Sequence, residues 1–549
     1  MGARMIPAAR DHQKAAQGEA TGREHYLAAR VLNALLREDY AGISARVTHD
    51  KDGVAIVLAS GRRVGLSAGN PFQDFATAPY ERLRLAEVLE TLEDVAHPAD
   101  AEGVAAFERE CQETLAALEA HHRMRGEVAR RLRRRHGLIR YESLAAVVDH
   151  PLYPTARCRL GVSPAGLAAY APEFAPEFGM RWTAAPRERV TLSRPDLPGW
   201  WPAPGDVGLP PGLARTHVLL PVHPLTEPLV AGLPGLVPGR RPYVTVRPTL
   251  STRTVEVCER VHLKVPLPAS TLGLRNRRSI KPGTLRDGAV AESLLREILA
   301  REPGLRVRLA DEQTYGHAEH EYLGWLVRDL PEGEIVPVAA LLAPLPEPPE
   351  GGADGRLVLH EVAGRHHGGD AEALLRDYLT ALFAWNVTLF VRYGVALEAH
   401  QQNLALVFGD GPMRLLVKDN DGLLASPRRL HAAGIEAPGF GDERMLTDDP
   451  YALADVFVTI TLHLAAMAVA HGALPGSAAT LVGRALAAAL EPYGDDPMAR
   501  LLRARTLEAA RLTGKSMVVA GTLVAKDRTG ARDVNKFYGT TGPNYLRGA

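Results

Sequence analysis

The chain has 549 residues, longer than one hydrophobic core sustains, so two or three domains are expected. Its 64 basic and 64 acidic residues cancel, which leaves no electrostatic reason to bind nucleic acid or an anionic membrane. Three scattered cysteines, Cys111, Cys158 and Cys258, exclude a disulfide framework or a cysteine zinc site and fit a reducing cytoplasm.

The start of the chain, Met1 to Gly18, is polar and alanine-rich, without the apolar stretch of a secretory signal. Helical periodicity dominates residues 22–145, and alternation from Val54 to Val64 predicts a hairpin within it. The dense basic run Arg130, Arg131, Arg133, Arg134 and Arg135 extends a helix that already carries Glu127, and reads as a solvated face. Residues 1–145 are thus expected to form an N-terminal helical domain.

Short β-rich runs separated by proline and glycine follow, among them His217–Val222, Pro242–Arg247 and Val261–Leu267. They predict a sheet-based domain over residues 146–350. Trp200 and Trp201, in a proline-rich loop, are expected to cover a core edge. The run from Pro344 to Gly355 removes backbone donors and adds freedom, so neither helix nor sheet is expected to continue through it.

Residues 351–549 are expected to be mostly helical around one small sheet. A strong helix is predicted from Ala371 to Tyr393, closed by Gly394. The most apolar helix, Ala452 to Ala470, is interrupted by Asp455 and His463 and reads as buried core rather than a membrane span. The fold class is therefore α+β.

Three short segments carry the chemistry. Ser251-Thr252-Arg253-Thr254 offers hydroxyls and a fixed cation. Glu398-Ala399-His400-Gln401-Gln402-Asn403 offers a carboxylate, an imidazole and amides. Lys418-Asp419-Asn420-Asp421-Gly422 sets acids beside a glycine turn. Together they suit a nucleoside triphosphate and its metal. Arg253 can grip two phosphate oxygens through its planar guanidinium while Ser251 and Thr254 add hydroxyl donors, with Thr252 facing the other side of a strand. Magnesium takes one or two carboxylates with phosphate oxygens and water, so Asp419 is the first metal-side residue, joined by Glu398 or Asn403. Gly514-Lys515-Ser516 echoes the end of a phosphate-binding loop, but the required upstream glycine is Ala509, so that motif is rejected.

The run Arg247 to Thr254, the downstream Lys264, the Glu398-x-His400-x-Gln402-Asn403 element and the Lys418-Asp419-x-x-Gly422 turn resemble the IucA/IucC family of NRPS-independent siderophore synthetases, in the family's order, over residues 140 to 520. The resemblance implies a cupped three-domain shape of thumb, fingers and palm, commonly dimeric, in which a small polycarboxylate such as citrate is adenylated with ATP and Mg2+ and joined to an amine, hydroxylamine or alcohol. It further implies that Lys264, Gln402 and Asn403 contact the nucleotide. His400 would act on the α-phosphate or the acid, and Arg275, or its neighbours Arg277 and Arg278, together with Lys515 would hold the acid carboxylate. The family's Gly-His-Pro-x-His-Pro-x-x-Lys element appears here as Asp149-His150-Pro151-Leu152-Tyr153-Pro154-Thr155-Ala156-Arg157, where His150 keeps the register and Arg157 keeps a positive charge. A second element survives as His223-Pro224.

Two other readings fit parts of the same residues. One is a small-molecule kinase, against which stands the missing aspartate beside His400. The other is a nucleotide-binding homologue without catalysis.

Overall fold

The computed structural model describes residues 7–346, 355–530 and 537–547, with side chains described from residue 21. Most of the run from Pro344 to Gly355, and the first six residues, lie outside that range.

The long helix Pro7–Glu38 packs against Leu85–Val95 and Ala101–Arg123. The expected hairpin is present as Gly53–Val57 paired with Arg63–Ser67, inside a four-stranded antiparallel sheet. Leu27, Val31, Leu35, Val88 and Phe107 form the core between them, each almost fully removed from water and worth about 1.5–3 kcal/mol apiece. Val518 and Leu523, from the far end of the chain, complete that same core.

The basic run departs from expectation at its end. Arg130, Arg133 and Arg134 are exposed, but Arg135 is buried, donating to Ser143 Oγ and, at 2.6 Å, to the carbonyl of Pro176. A guanidinium with both fixed acceptors replaces the solvation that burial removes.

The middle of the chain builds a seven-stranded antiparallel sheet whose inner strands are Thr245–Pro248, Thr254–Cys258, Val261–Lys264, Trp325–Asp329 and Asp311–His317. Trp201 packs against Trp182 and Trp325 with its indole N–H donated to the Leu219 carbonyl at 2.9 Å, and with Trp200 it lies half-buried against the edge of that core, as expected. A 20-residue helix, Pro282–Arg301, also falls in this stretch.

The later part centres on a four-stranded sheet in the order Val307–Leu309, Gly411–Val417, Leu404–Gly409, Glu334–Pro337. Ala371–Thr388 packs on it, and its last turn widens over Leu389–Tyr393 before Gly394 ends it at φ 63°. A side chain at Gly394 would also meet the Cβ atoms of Ser426 and Arg429 at 2.8 and 2.7 Å. The helix Pro450–Ala473 has the length and hydropathy of a membrane span, yet 89% of its most apolar window is buried inside the protein.

Register explains how distant motifs meet. Thr254 pairs with Lys264, so the residues before one and at the end of the other leave the seven-stranded sheet on the same side. Leu404 pairs with Val417, so the loop 398–403 and the turn 418–422 likewise emerge together from the four-stranded sheet.

Candidate active site

Ser251–Arg253 is a turn rather than the continuing strand expected. Thr252 adopts φ 65°, Arg253 N donates to Ser251 O at 2.8 Å, and Ser251 Oγ accepts Thr254 N at 3.1 Å. A β-branched residue in the left-handed region is costly and persists only where neighbours fix it. Here Arg159, itself held by two bonds to Glu173 at 2.6 and 2.8 Å, donates from Nε to Thr252 Oγ1 at 3.0 Å. Thr252 nevertheless lines the same cavity as Ser251 and Arg253, so the opposite facing expected of a strand residue does not hold.

Two buried carboxylates tie this turn to the second sheet. Glu142 accepts Leu250 N at 3.0 Å and Lys418 Nζ at 3.0 Å, so Lys418 is spent on structure. Glu312 pairs with buried Arg328 and accepts Asp419 N at 3.0 Å, fixing Asp419 at φ 65°. Lys264 Nζ then reaches Asp419 Oδ1 at 2.5 Å and lies 3.7 Å from Asp421 Oδ2. Burial alone would raise the Asp419 carboxyl, but Lys264, Arg328 and Arg253 outweigh it and hold it far below the usual range.

Gly422 has no positive φ, so the sharp-turn role expected of it does not apply; its lack of a side chain matters because a Cβ would sit 2.7 Å from Glu398 Oε2. The Glu398–Asn403 loop closes on itself: Glu398 O accepts His400 N at 3.0 Å and Asn403 Nδ2 at 3.2 Å, while His400 Nδ1 accepts Gln402 N at 3.3 Å. An accepting Nδ1 places the imidazole proton on Nε2. Burial and Lys515 lower His400 to about 4, against the pull of Asp419, so it is neutral at pH 7. His150 repeats the pattern, with Nδ1 accepting Leu152 N and Tyr153 N, and burial, His400 and nearby cations keep it well below the usual range.

These pieces enclose one cavity of about 680 Å³. Of thirteen residues singled out from sequence, twelve line it: His150, Arg157, Ser251, Arg253, Lys264, Arg275, Glu398, His400, Gln402, Asn403, Asp419 and Lys515. Thr254 does not; it is buried in its strand, with its carbonyl taken by Thr249. Arg157 lies in the wall but is engaged, Nε on Asp149 Oδ1 at 2.7 Å and a terminal nitrogen on Val147 O at 2.6 Å. His223 is fully buried among Tyr170 and Phe178, away from the cavity.

The three neighbouring arginines separate clearly. All three line the cavity: Arg275 Nη1 donates to Ala520 O at 2.7 Å, Arg277 is exposed and bonds Glu321 and the Tyr322 hydroxyl, and Arg278 is more enclosed. Arg278 has no ion-pair partner among the described residues; burial and Arg253 bring it down to about 9 despite Asp419 and Asp421. The cavity wall carries ten cationic and six acidic side chains, a surplus of four positive charges in a chain whose charges cancel. Arg444 and Asp442 also line it, on a loop held by Asp287, which accepts Gly441 N and Asp442 N at 2.7 and 3.0 Å. Nothing in the local sequence marked that loop.

A surplus of enclosed cations fits a polyanion, and a neutral imidazole N–H adds a donor that needs no proton uptake. The oxygen donors Asp419, Asp421 and Glu398 in one wall fit a hard cation such as magnesium bridging to phosphate oxygens. Among the described residues, no group of three or more histidine, cysteine, aspartate or glutamate side chains forms a cation site unaided.

Such a site, set between two sheets of an α+β protein, is that of an enzyme or binder of small anionic molecules. Residues 137–343 match the IucA / IucC family model. Residues 372–525 match the model described as Ferric iron reductase FhuF-like transporter. The chain is 26% identical over 347 residues to the rhizobactin siderophore biosynthesis protein RhbC of Rhizobium meliloti, covering 55% of this chain and 58% of that one. The matched stretches span little more than half the length of the curated relatives. The fold matches the petrobactin biosynthesis protein AsbB of Bacillus anthracis, with TM-score 0.74, 16% identity and 96% of each chain covered. It also matches ATP-bound aerobactin synthetase IucA of Klebsiella pneumoniae, with TM-score 0.68, 17% identity, 95% of this chain and 99% of that one.

Proposed function

We propose that the chain is an ATP-dependent ligase that adenylates a small polycarboxylate, citrate or a related acid, and condenses it with an amine, hydroxylamine or alcohol, releasing AMP and pyrophosphate. The observation that carries this reading is the cationic surplus of a cavity that also holds a neutral histidine. A free carboxylate is a poor electrophile at neutral pH, and attack on the α-phosphorus of ATP makes it a good one. Two anions must then share a site, which requires compensating charge and exclusion of water.

In this reading Ser251, Arg253 and Lys264 hold the phosphates and Gln402 and Asn403 the nucleotide. Arg275, Lys515 and His150 take the acid carboxylates, with Arg157 supplying field from its pair with Asp149. His400 donates its Nε2 proton to the oxygen on which charge grows. Asp419 and Glu398 would hold Mg2+, which supplies charge neutralisation on the phosphates. The proposal includes a homodimer in a reducing cytoplasm and a division into domains 1–145, 146–350 and 351–549.

The test is acid-dependent pyrophosphate release across citrate, succinate, 2-oxoglutarate and related polyacids, followed by mass analysis with amines. AMP and pyrophosphate with an amide product are expected. ADP would indicate a kinase, and ATP binding without turnover on the whole panel a homologue that only binds.

A further inference from the structure

The cavity wall from Lys515 to Gly521 is held by three acids from the opposite end of the chain. Glu38, at the end of the first long helix and 5% exposed, accepts Val518 N at 3.1 Å and Val519 N at 2.9 Å, one on each oxygen. Asp100, 2% exposed, accepts Ala525 N at 3.1 Å. Glu110, 1% exposed, accepts the Thr522 hydroxyl at 2.6 Å, and its other oxygen takes the hydroxyls of Tyr153 and Thr155, just beyond His150. The approach leaves no slack: a Cβ at Gly103 would lie 1.9 Å from the Leu523 carbonyl.

The same segment then holds the acid-facing arginine. Thr522 Oγ1 accepts Leu274 N at 3.0 Å, Gly521 O accepts Arg275 N at 3.1 Å, and Ala520 O accepts Arg275 Nη1 at 2.7 Å. Carboxylates accepting backbone N–H groups make strong, directional bonds, and buried ones are costly to leave unmade. Through them the N-terminal layer fixes where Lys515 and Arg275 stand, whereas Asp419, the partner of Lys264, is fixed by Glu312 in the seven-stranded sheet, Leu250 N and Lys418 are held by Glu142 on the helix Gly137–Ala145, and Arg253 donates to the Ser279 carbonyl at 2.9 Å.

We propose that Glu38 and Glu110 are positioning residues for one end of the cavity alone: they set Lys515 and Arg275 through the 518–522 segment and leave the phosphate-facing groups untouched. The choice of that end as the acid-binding one rests on the ligase reading above. A site so divided would let the N-terminal layer govern acid recognition independently of nucleotide binding.

Two variants test it in the full chain. Glu38→Gln keeps shape but presents an N–H₂ to one of the two amides, and Thr522→Val removes the hydroxyl that links Glu110 to Leu274. Hydrogen exchange at Val518 and Val519 is expected to rise about ten-fold in Glu38→Gln, with changed labelling of Lys515 by trinitrobenzenesulfonate in both. The KM for citrate, or for whichever screened polyacid supports release, is expected to rise about ten-fold while the KM for ATP stays within about two-fold. Should Glu38→Gln fail to fold, the milder Thr522→Val carries the labelling and kinetic readouts. Equal rises in both KM values, or a lower unfolding midpoint with labelling and acid KM unchanged, would overturn the proposal. If the wild type releases no pyrophosphate with any acid, the ligase reading alone fails, and exchange and Lys515 labelling still decide the positioning.

Discussion

Lys264 and Asp419 are 155 residues apart in sequence, yet Nζ stands 2.5 Å from Oδ1 and joins the strand end of one sheet to the turn of the other. Each is largely enclosed, and the pair faces the cavity. Removing one partner leaves an uncompensated charge, which for buried pairs costs about 3–5 kcal/mol. Lys264→Met is therefore expected to lower the unfolding free energy in urea and to abolish pyrophosphate release. Because the folded Asp419 carboxyl is held below its unfolded value, the stabilisation is complete above the ordinary aspartate range and disappears as pH falls through the folded value. The urea midpoint of Lys264→Met should fall less steeply with decreasing pH than that of the wild type.

His400 shifts in the same direction as Asp419, though its favoured form is neutral and not charged. Its folded value of about 4 lies below the ordinary 6.5, so between those two pH values the unfolded chain binds the extra proton and stability rises with pH. The full displacement corresponds to about 3 kcal/mol. His400→Gln should flatten the stability curve between pH 4 and 6.5 by that share, read from urea midpoints. The mutant should also lose turnover at pH 7 while remaining folded, and the wild-type rate should show no His400 ionisation between pH 6 and 8.

Arg278 predicts a trade between stability and binding. A buried guanidinium without an ion-pair partner is a strain on the empty protein, and an incoming polyanion relieves it. Arg278→Met is expected to raise the unfolding free energy by about 1 kcal/mol and to weaken ATP binding at least about ten-fold by calorimetry. Loss of stability with unchanged ATP affinity would contradict that assignment.

Gly422→Ala places a methyl 2.7 Å from Glu398 Oε2, so the Glu398 side chain must move. The expected result is a loss of turnover with a stability change of about 1–3 kcal/mol. Gly411→Ala serves as the comparison: its φ of 114° strains a side chain, but nothing lies within 4 Å and it is remote from the cavity, so it should cost stability and spare activity.

Local signals made the helix ending at Gly394, the hairpin at 53–67 and the three chemical segments legible in the sequence, because capping, alternation and polar clustering are read within a few residues. The helix Pro282–Arg301 was hidden by Gly283 and Gly288, which weaken helical periodicity; a Cβ at Gly288 would meet Asp421 at 3.6 Å. Burial of Arg135 and engagement of Arg157 depend on Pro176, Ser143 and Asp149, partners that no spacing rule names. Thr254 was misplaced because a turn at Thr252 with φ 65° resets the alternation that a strand would have kept. The roles of Glu38, Asp100 and Glu110 join residues more than 400 positions apart, beyond any periodicity.

The walls of the cavity run from Ala145 to Gly521, and Lys515 is among the last to be synthesised. Until that segment is made, the early helices lack Val518 and Leu523 from their core and the pocket lacks one side. The cavity therefore gains its last wall only when that segment reaches the N-terminal helices, a closure that depends on residues more than 400 positions apart.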